Sequence, residues 1–319
     1  MIPMPEYSYL FGPVPSRRLG MSLGIDLVPH KVCTIDCVYC ECGATTHCTT
    51  QRKEYVPARS VLHELEQFMQ QAPALDCLTF SGAGEPTLNV EIGRIIREIK
   101  HRYPHLKRVL LTNGTLLYDP EVRADIEDIT IAKISVDAVT DSVFQQINRP
   151  HTDLSLEKIK KGIQIFSREF QHTIWLEYFL IPGLNDSTQQ LEAAADFLST
   201  VNAEKLQINT LDRPAPESWV RRGSTESLRK AVKILQPRLP YPVLNVSKTT
   251  KKAASRGGNL PLDELIQNLV SRRPMTAEDI HHSTARDSSA IEATLKKLTA
   301  DGTIRARREY RGIFYETEK

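Results

Sequence analysis

Cys33-Thr34-Ile35-Asp36-Cys37-Val38-Tyr39-Cys40 places three cysteines in one short stretch, and Cys42 and Cys48 follow closely. Of the six cysteines in the 319-residue chain only Cys77 stands apart. Six are too few for a disulfide scaffold in a chain of this size, and their crowding points to metal. Thiolates are soft ligands that suit iron–sulfur clusters and zinc, and the spacing lets Cys33, Cys37 and Cys40 converge from one loop on a cubane. No fourth ligand stands at a matching position. The other reading of these residues is a zinc knuckle that adds Cys42 or Cys48. Residues 33–51 show no apolar period and are rich in Cys, Gly and Thr, which predicts a long loop of the kind that carries function.

Outward from that loop the pattern is α/β. Ahead of it, the turn-rich 12–20 stretch and the alternating Leu23-Gly24-Ile25-Asp26-Leu27 predict an opening strand or hairpin. Behind it, apolar runs predict strands at 77–80, 108–111, 129–136, 173–180 and 206–208. Helical periods fall at 61–70, 90–103, 154–170 and 189–199. Strands alternating with crossover-length helices give a mostly parallel sheet, here about six β/α units, fewer than the eight of a closed barrel. An open, partial barrel over 1–246 is expected. The 247–259 segment, with Lys248, Lys251, Lys252, Arg256 and Gly257-Gly258 and no acid, reads as a basic linker. Within 260–319, helices at 260–270, 276–281 (Thr276 with Asp279 as a capping pair) and 288–300 precede a two-stranded ribbon at 303–308 and 313–316. That order is the layout of a winged helix.

The CxxxCxxC spacing with Tyr39 just before the last cysteine resembles the signature of the radical S-adenosylmethionine (radical SAM) superfamily. The resemblance extends along the chain in order. Gly82-Ala83-Gly84-Glu85, in the stretch 81–87 after a strand, looks like the segment that contacts the methionyl amino group. Asn113, Ser135 and Asp137 close the next two strands and resemble residues that hold the cofactor's ribose or methionyl carboxylate. Ile181 and Pro182, in Leu180-Ile181-Pro182-Gly183, are similar to the adenine-contacting segment, to which Tyr39 is added. The resemblance implies a partial (β/α)6 barrel carrying a [4Fe–4S] cluster on Cys33, Cys37 and Cys40. The fourth iron would be chelated by S-adenosyl-L-methionine, whose reductive cleavage releases a 5′-deoxyadenosyl radical. An electron donor such as flavodoxin or ferredoxin is then required. Without the family, the glycines are equally a tight turn, and Asn113 and Asp137 a turn former and a helix cap. The stretch 12–20 joined to the triad further resembles the proteins grouped with wyosine-type tRNA-modifying enzymes.

Lysine and arginine number 41 against 39 acids, so global charge announces no nucleic-acid partner and any such case must be local. Arg17 and Arg18 adjoin the cluster loop and could grip an anion, and Asn148-Arg149-Pro150-His151, after the Asp137 strand and its short helix, could line the substrate pocket. Arg305, Arg307 and Arg308, with Arg311, give the ribbon a positive face that could follow a phosphate backbone, although winged helices also bind proteins and peptides. The expected partner is therefore RNA, tRNA in particular, or a peptide or protein substrate. A non-catalytic, zinc-stabilised nucleic-acid-binding protein is the third reading. With no apolar run of membrane-spanning length and no leader pattern, a cytoplasmic protein is expected.

Overall fold

Cys77-Leu78-Thr79-Phe80 is buried at all four positions, which is what a strand covered by helices on both faces of a parallel sheet requires. The computed structural model describes residues 7–16, 19–71, 74–246 and 261–317. Arg17, Arg18 and the 247–259 segment lie outside them. An antiparallel hairpin, β1 (Leu10–Ser16) and β2 (Gly20–Ile25), opens the fold. Parallel to β2 run β3 (Cys77–Phe80), β4 (Lys107–Thr112), β5 (Ile131–Ser135), β6 (Thr173–Phe179), β7 (Lys205–Asn209) and β8 (Val243–Asn245). Their spatial order is their chain order, and β1 and β8 are the open edges of an eight-stranded, partly closed sheet.

Among the described residues, seven α-helices accompany this sheet: α1 (Ala58–Met69), α2 (Ile92–Arg102), α3 (Pro120–Asp125), α4 (Asp141–Ile147), α5 (Leu156–Glu169), α6 (Thr188–Leu198) and α7 (Thr225–Leu235). In α2 the isoleucines 92, 95, 96 and 99 fall on one stripe and are fully buried. Each contributes about 1.5–3 kcal/mol by leaving water. Ser187 and Ser224 cap α6 and α7 through hydrogen bonds from the Gln190 and Ser227 amides, a cap that ends the preceding connection sharply.

The strands and helices expected between 61 and 209 form within a few residues of their expected ends. The unit α7–β8 was not expected. Its strand is only three residues long, follows Pro237, Pro240 and Pro242, and leaves Leu244 exposed, so no apolar run marks it.

The carboxyl-terminal residues form a second cluster of buried side chains around Ile266, Val270, Ile280, Ile291 and Leu295. It is enclosed by α8 (Leu262–Arg272), α9 (Ala277–Thr284), α10 (Ser288–Ala300) and a small antiparallel sheet. That sheet orders β9 (Met275–Thr276), β11 (Gly312–Glu316) and β10 (Arg305–Glu309), with β11 in the middle. Thr276 and Asp279 form the capping box that their spacing predicts, and the two-residue β9 is the one element there that the sequence reading lacks. The unit rests on the barrel: Tyr310 donates its hydroxyl to the Leu211 carbonyl at 2.7 Å, and Arg311 reaches Asp212 at 2.7 Å and Asp279 at 2.9 Å. No helix among the described residues is long and apolar enough to cross a membrane.

Candidate functional site

Because β2 to β8 are parallel, their carboxyl ends gather at one end of the sheet, where open α/β sheets place ligands. The loop from Val32 to Cys48 folds over that end. It is stitched down by a short parallel pairing of Val32–Cys33 with His47–Cys48 and by two amides, Asp36 and Val38, that donate to the carbonyls of Asn148 and Ile147 at 2.8 and 2.9 Å. The three cysteines thereby face the same cavity, of about 240 Å³.

That cavity is lined by Cys33, Cys37, Tyr39 and Cys40 from the loop, Gly82, Gly84 and Glu85 after β3, Asn113 after β4, and Ser135 and Asp137 at the end of β5. Thus most of the residues singled out from the sequence share one site. Ile35, Leu111, Phe144, Leu156, Ile159 and Ile163 form an apolar wall around it. Ala83, Ile181 and Pro182 do not line it. Ala83 contributes backbone only, its amide to Asp26 at 3.3 Å and its carbonyl to the Lys31 amide at 3.2 Å. Ile181 is buried in the core.

The glycines have a steric cause. A Cβ on Gly84 would stand 1.9 Å from the Val32 carbonyl oxygen, so this turn and the cysteine loop can touch only backbone to backbone. Glu85 secures the turn. One carboxylate oxygen accepts from the Thr87 amide and hydroxyl and from the Thr112 hydroxyl at 2.8 Å, and the other accepts from the Asn113 amide at 2.8 Å. Its burial raises its pKa, against the pull of those donors. Glu85 thus ties β3 to β4 at a position where it also lines the cavity.

Each cysteine sulfur has a nitrogen donor. Asn113 Nδ2 lies 3.6 Å from Cys33 Sγ, Asn148 Nδ2 3.3 Å from Cys37 Sγ, and Lys31 Nζ 3.1 Å from Cys40 Sγ. Burial, then the charge of Glu85, pushes the Cys33 thiol up to about 12, and burial likewise raises Cys37. Cys40 is drawn the other way, by a hydrogen bond from Cys42 and, against its burial, by the Lys31 ammonium. Metal binding would release the protons of the first two, so loading is coupled to pH.

Asp137 is the hub of the opposite wall. Its carboxylate accepts from the Tyr39 hydroxyl, from Asn148 Nδ2 at 3.1 Å and from the Phe179 amide at 3.0 Å; burial nevertheless pushes it up to about 6. Tyr39 also stacks on Phe179, with ring centroids 3.9 Å apart. The sequence reading did not single out Lys31 or Asn185, and it gave Asn148 to the substrate pocket, not to a cysteine. Asn185 is fully buried: it accepts from the Ile181 amide at 2.7 Å and donates to the carbonyls of Asp137 and Phe179, so it fixes the turn after β6. Its only signal was its place two residues after Leu180-Ile181-Pro182-Gly183.

Arg149, Arg305, Arg307 and Arg308 do not line the cavity. Arg149 pairs with Glu217 at 2.6 Å, Arg305 with Glu316 at 2.9 Å and Arg307 with Glu309 at 2.6 Å, while Arg308 is exposed. The zinc reading finds no support: among the described residues no three His, Cys, Asp or Glu side chains stand close enough to share one ion. A four-iron cube takes its thiolates on separate irons and so needs them farther apart.

The radical SAM superfamily pattern matches residues 27–198, just over half of the chain. The chain belongs to the radical SAM superfamily. It is therefore an enzyme of the class whose cofactors are a [4Fe–4S] cluster and S-adenosylmethionine. A UPF0026 protein of Helicobacter pylori is 33% identical over 85% of this chain and 86% of its own. A GTPase Obg of Brachyspira hyodysenteriae is 31% identical over 93% of this chain, which spans only 43% of that protein's length. A probable dual-specificity RNA methyltransferase RlmN of Treponema denticola is 25% identical over 71% of this radical SAM chain and 63% of its own. In fold, a radical SAM methyltransferase from Sphaerobacter thermophilus superposes with a TM-score of 0.57 at 18% identity, over 70% of this chain and 65% of its own.

Proposed function

We propose that this radical SAM enzyme holds its cluster on Cys33, Cys37 and Cys40, cleaves S-adenosylmethionine reductively and modifies RNA, most specifically tRNA. The observation that carries the reading is the single cavity shared by three thiols, Tyr39, Asn113, Ser135 and Asp137. When bound, the reduced cluster supplies one electron that breaks the sulfonium C–S bond, giving methionine and a 5′-deoxyadenosyl radical that takes a hydrogen atom from substrate. The rest is the work of the chain. Asn113, Asn148 and Lys31 direct N–H groups at the three sulfurs, which orient the thiolates and draw off part of their charge. Asp137 is oriented by Tyr39, Asn148 and the Phe179 amide, and with Ser135 presents polar groups to the sugar end of the cofactor. The apolar wall from Ile35 to Ile163 keeps water from the radical.

RNA is supported by the likeness to the RlmN methyltransferase and by the wyosine-type resemblance of the 12–20 stretch. We read 1–246 as the catalytic domain and 260–319 as a winged helix, with 247–259 as the linker. The enzyme would work in the cytoplasm with flavodoxin or ferredoxin as electron donor. The test is anaerobic turnover with total RNA, followed by nucleoside analysis of the recovered tRNA. A new modified nucleoside, formed only with S-adenosylmethionine and reductant, is expected; unchanged RNA beside turnover on a peptide would contradict the RNA assignment.

A further inference from the structure

Two aromatic side chains stand in solvent beside the cysteine loop, and neither the cavity nor the folding core accounts for them. Trp219 is 46% exposed and Tyr310 47% exposed, whereas Trp175, the other tryptophan of the chain, is 7% exposed. Exposed aromatic rings scattered singly need no explanation. Each has its polar atom engaged while about half of the residue stays exposed: Trp219 Nε1 donates to Glu217 at 3.1 Å, and the Tyr310 hydroxyl donates to the Leu211 carbonyl at 2.7 Å.

Both anchors lead to the cysteine loop, from different sides. Glu217 also takes Arg149 at 2.6 Å, and Arg149 lies 3.9 Å from Asp36, the residue before Cys37. Tyr310 is followed by Arg311, whose partner Asp212 adjoins Arg213, and Arg213 holds Glu41, the residue after Cys40, at 2.7 Å. Both rings are thus tied through ion-paired residues to the cysteine triad, at Asp36 beside Cys37 and at Glu41 beside Cys40. Arg222 joins them, because its guanidinium lies 5.0 Å from the Tyr310 ring centre and it follows Trp219 by three residues. Arg221 and Arg308 are exposed on the same two segments.

Exposed aromatic faces interleaved with arginine suit unpaired bases: each base stacks on a ring or a guanidinium plane, and the cations meet the phosphates. We infer that Trp219, Tyr310 and Arg222 form a stacking platform that receives an unpaired stretch of RNA at the mouth of the cavity. The inference rests on the RNA reading above and adds where the strand is gripped. It also shifts the contact from the outer ribbon face, where Arg305 and Arg307 are already paired with acids, to the ribbon's turn.

The test is binding of a fluorescein-labelled twelve-residue oligouridine, and of unfractionated tRNA, to the cluster-loaded full chain, read by anisotropy. Stacking on one aromatic side chain is worth enough that Trp219→Ala should weaken oligouridine binding about five-fold or more, while Trp219→Phe keeps most of it. Tyr310→Leu should weaken it likewise, provided the melting profile matches that of the wild type. Undiminished affinity of Trp219→Ala for both RNAs overturns the platform and leaves the RNA reading standing. A wild-type enzyme that binds neither RNA overturns both, and returns the peptide reading.

Discussion

Arg213 and Glu41 join the end of the barrel to the cysteine loop: the guanidinium lies 2.7 Å from the carboxylate of the residue that separates Cys40 from Cys42. Arg213 also faces Asp279 of the carboxyl-terminal unit at 3.9 Å, and Asp279 is nearly inaccessible to water. One arginine therefore ties the cluster loop to a unit more than sixty residues further along the chain.

Removing it takes a cation from both acids. Arg213→Ala leaves Glu41 without this partner while Asp279 keeps Arg311 at 2.9 Å, so the loss is that of one charge-assisted pair, about 1.5–3 kcal/mol. A lowered thermal midpoint and weaker iron retention are expected. Thermal melts with iron assays check this; an unchanged midpoint would mean that the pair does no structural work.

The three cysteines of the cavity differ from the remaining ones. Cys37→Ala, and equally Cys33→Ala or Cys40→Ala, should lose most of the bound iron and the brown absorbance, whereas Cys48→Ala, whose side chain is absent from the cavity lining, should retain both. Iron and sulfide analysis of the reconstituted proteins decides it.

Gly84 and Gly183 offer a paired test of backbone against space. Gly84→Ala drives a methyl into the Val32 carbonyl and should cost about 1–3 kcal/mol, with loss of cluster binding. Gly183→Ala meets no atom within 4 Å; it carries only the strain of its φ of +82°, about 1 kcal/mol, and should load normally. Equal effects in urea unfolding and iron content would contradict this account of the turn.

Lys31 places an ammonium 3.1 Å from the Cys40 sulfur. A cation so close favours the more negative, reduced cluster, so Lys31→Met should lower its potential. A shift on the order of 50 mV, close to a tenfold change in a one-electron equilibrium, is expected. Spectroscopic titration against dyes of known potential measures it, and an unmoved or raised potential would exclude this role.

The fully buried side-chain amide of Asn185 makes three hydrogen bonds, accepting from the Ile181 amide and donating to the Asp137 and Phe179 carbonyls. Asn185→Ala should cost about 1–3 kcal/mol and weaken S-adenosylmethionine binding through the turn that it holds. Calorimetric titration with the cofactor checks the second effect separately from the first.

Where local pattern and global fold agree, the sequence was legible. The cysteine spacing, the glycine turn at 82–84 and the strand-end residues Asn113, Ser135 and Asp137 all stand on short motifs with a mechanical reason, and the structure brings them together. Asn148 was read only as a pocket residue because it reaches Cys37 across more than a hundred residues, and no local period marks such a contact; Lys31 and Asn185 stand outside every motif that was read. The ribbon arginines were read as one positive face, but Arg305 pairs with Glu316, which the hairpin register sets opposite it, and Arg307 with Glu309 two residues along its own strand. Strand β8, short and flanked by prolines, carries almost no propensity of its own and forms because β7 gives it an edge to pair with.

The most direct measurement is 5′-deoxyadenosine formation by the anaerobically reconstituted, dithionite-reduced enzyme with S-adenosylmethionine, beside Cys37→Ala. The account predicts a brown wild-type protein that produces deoxyadenosine, more with RNA present, and a pale variant that produces none. Deoxyadenosine from Cys37→Ala at the wild-type rate, or an inert wild type that retains zinc, would contradict it.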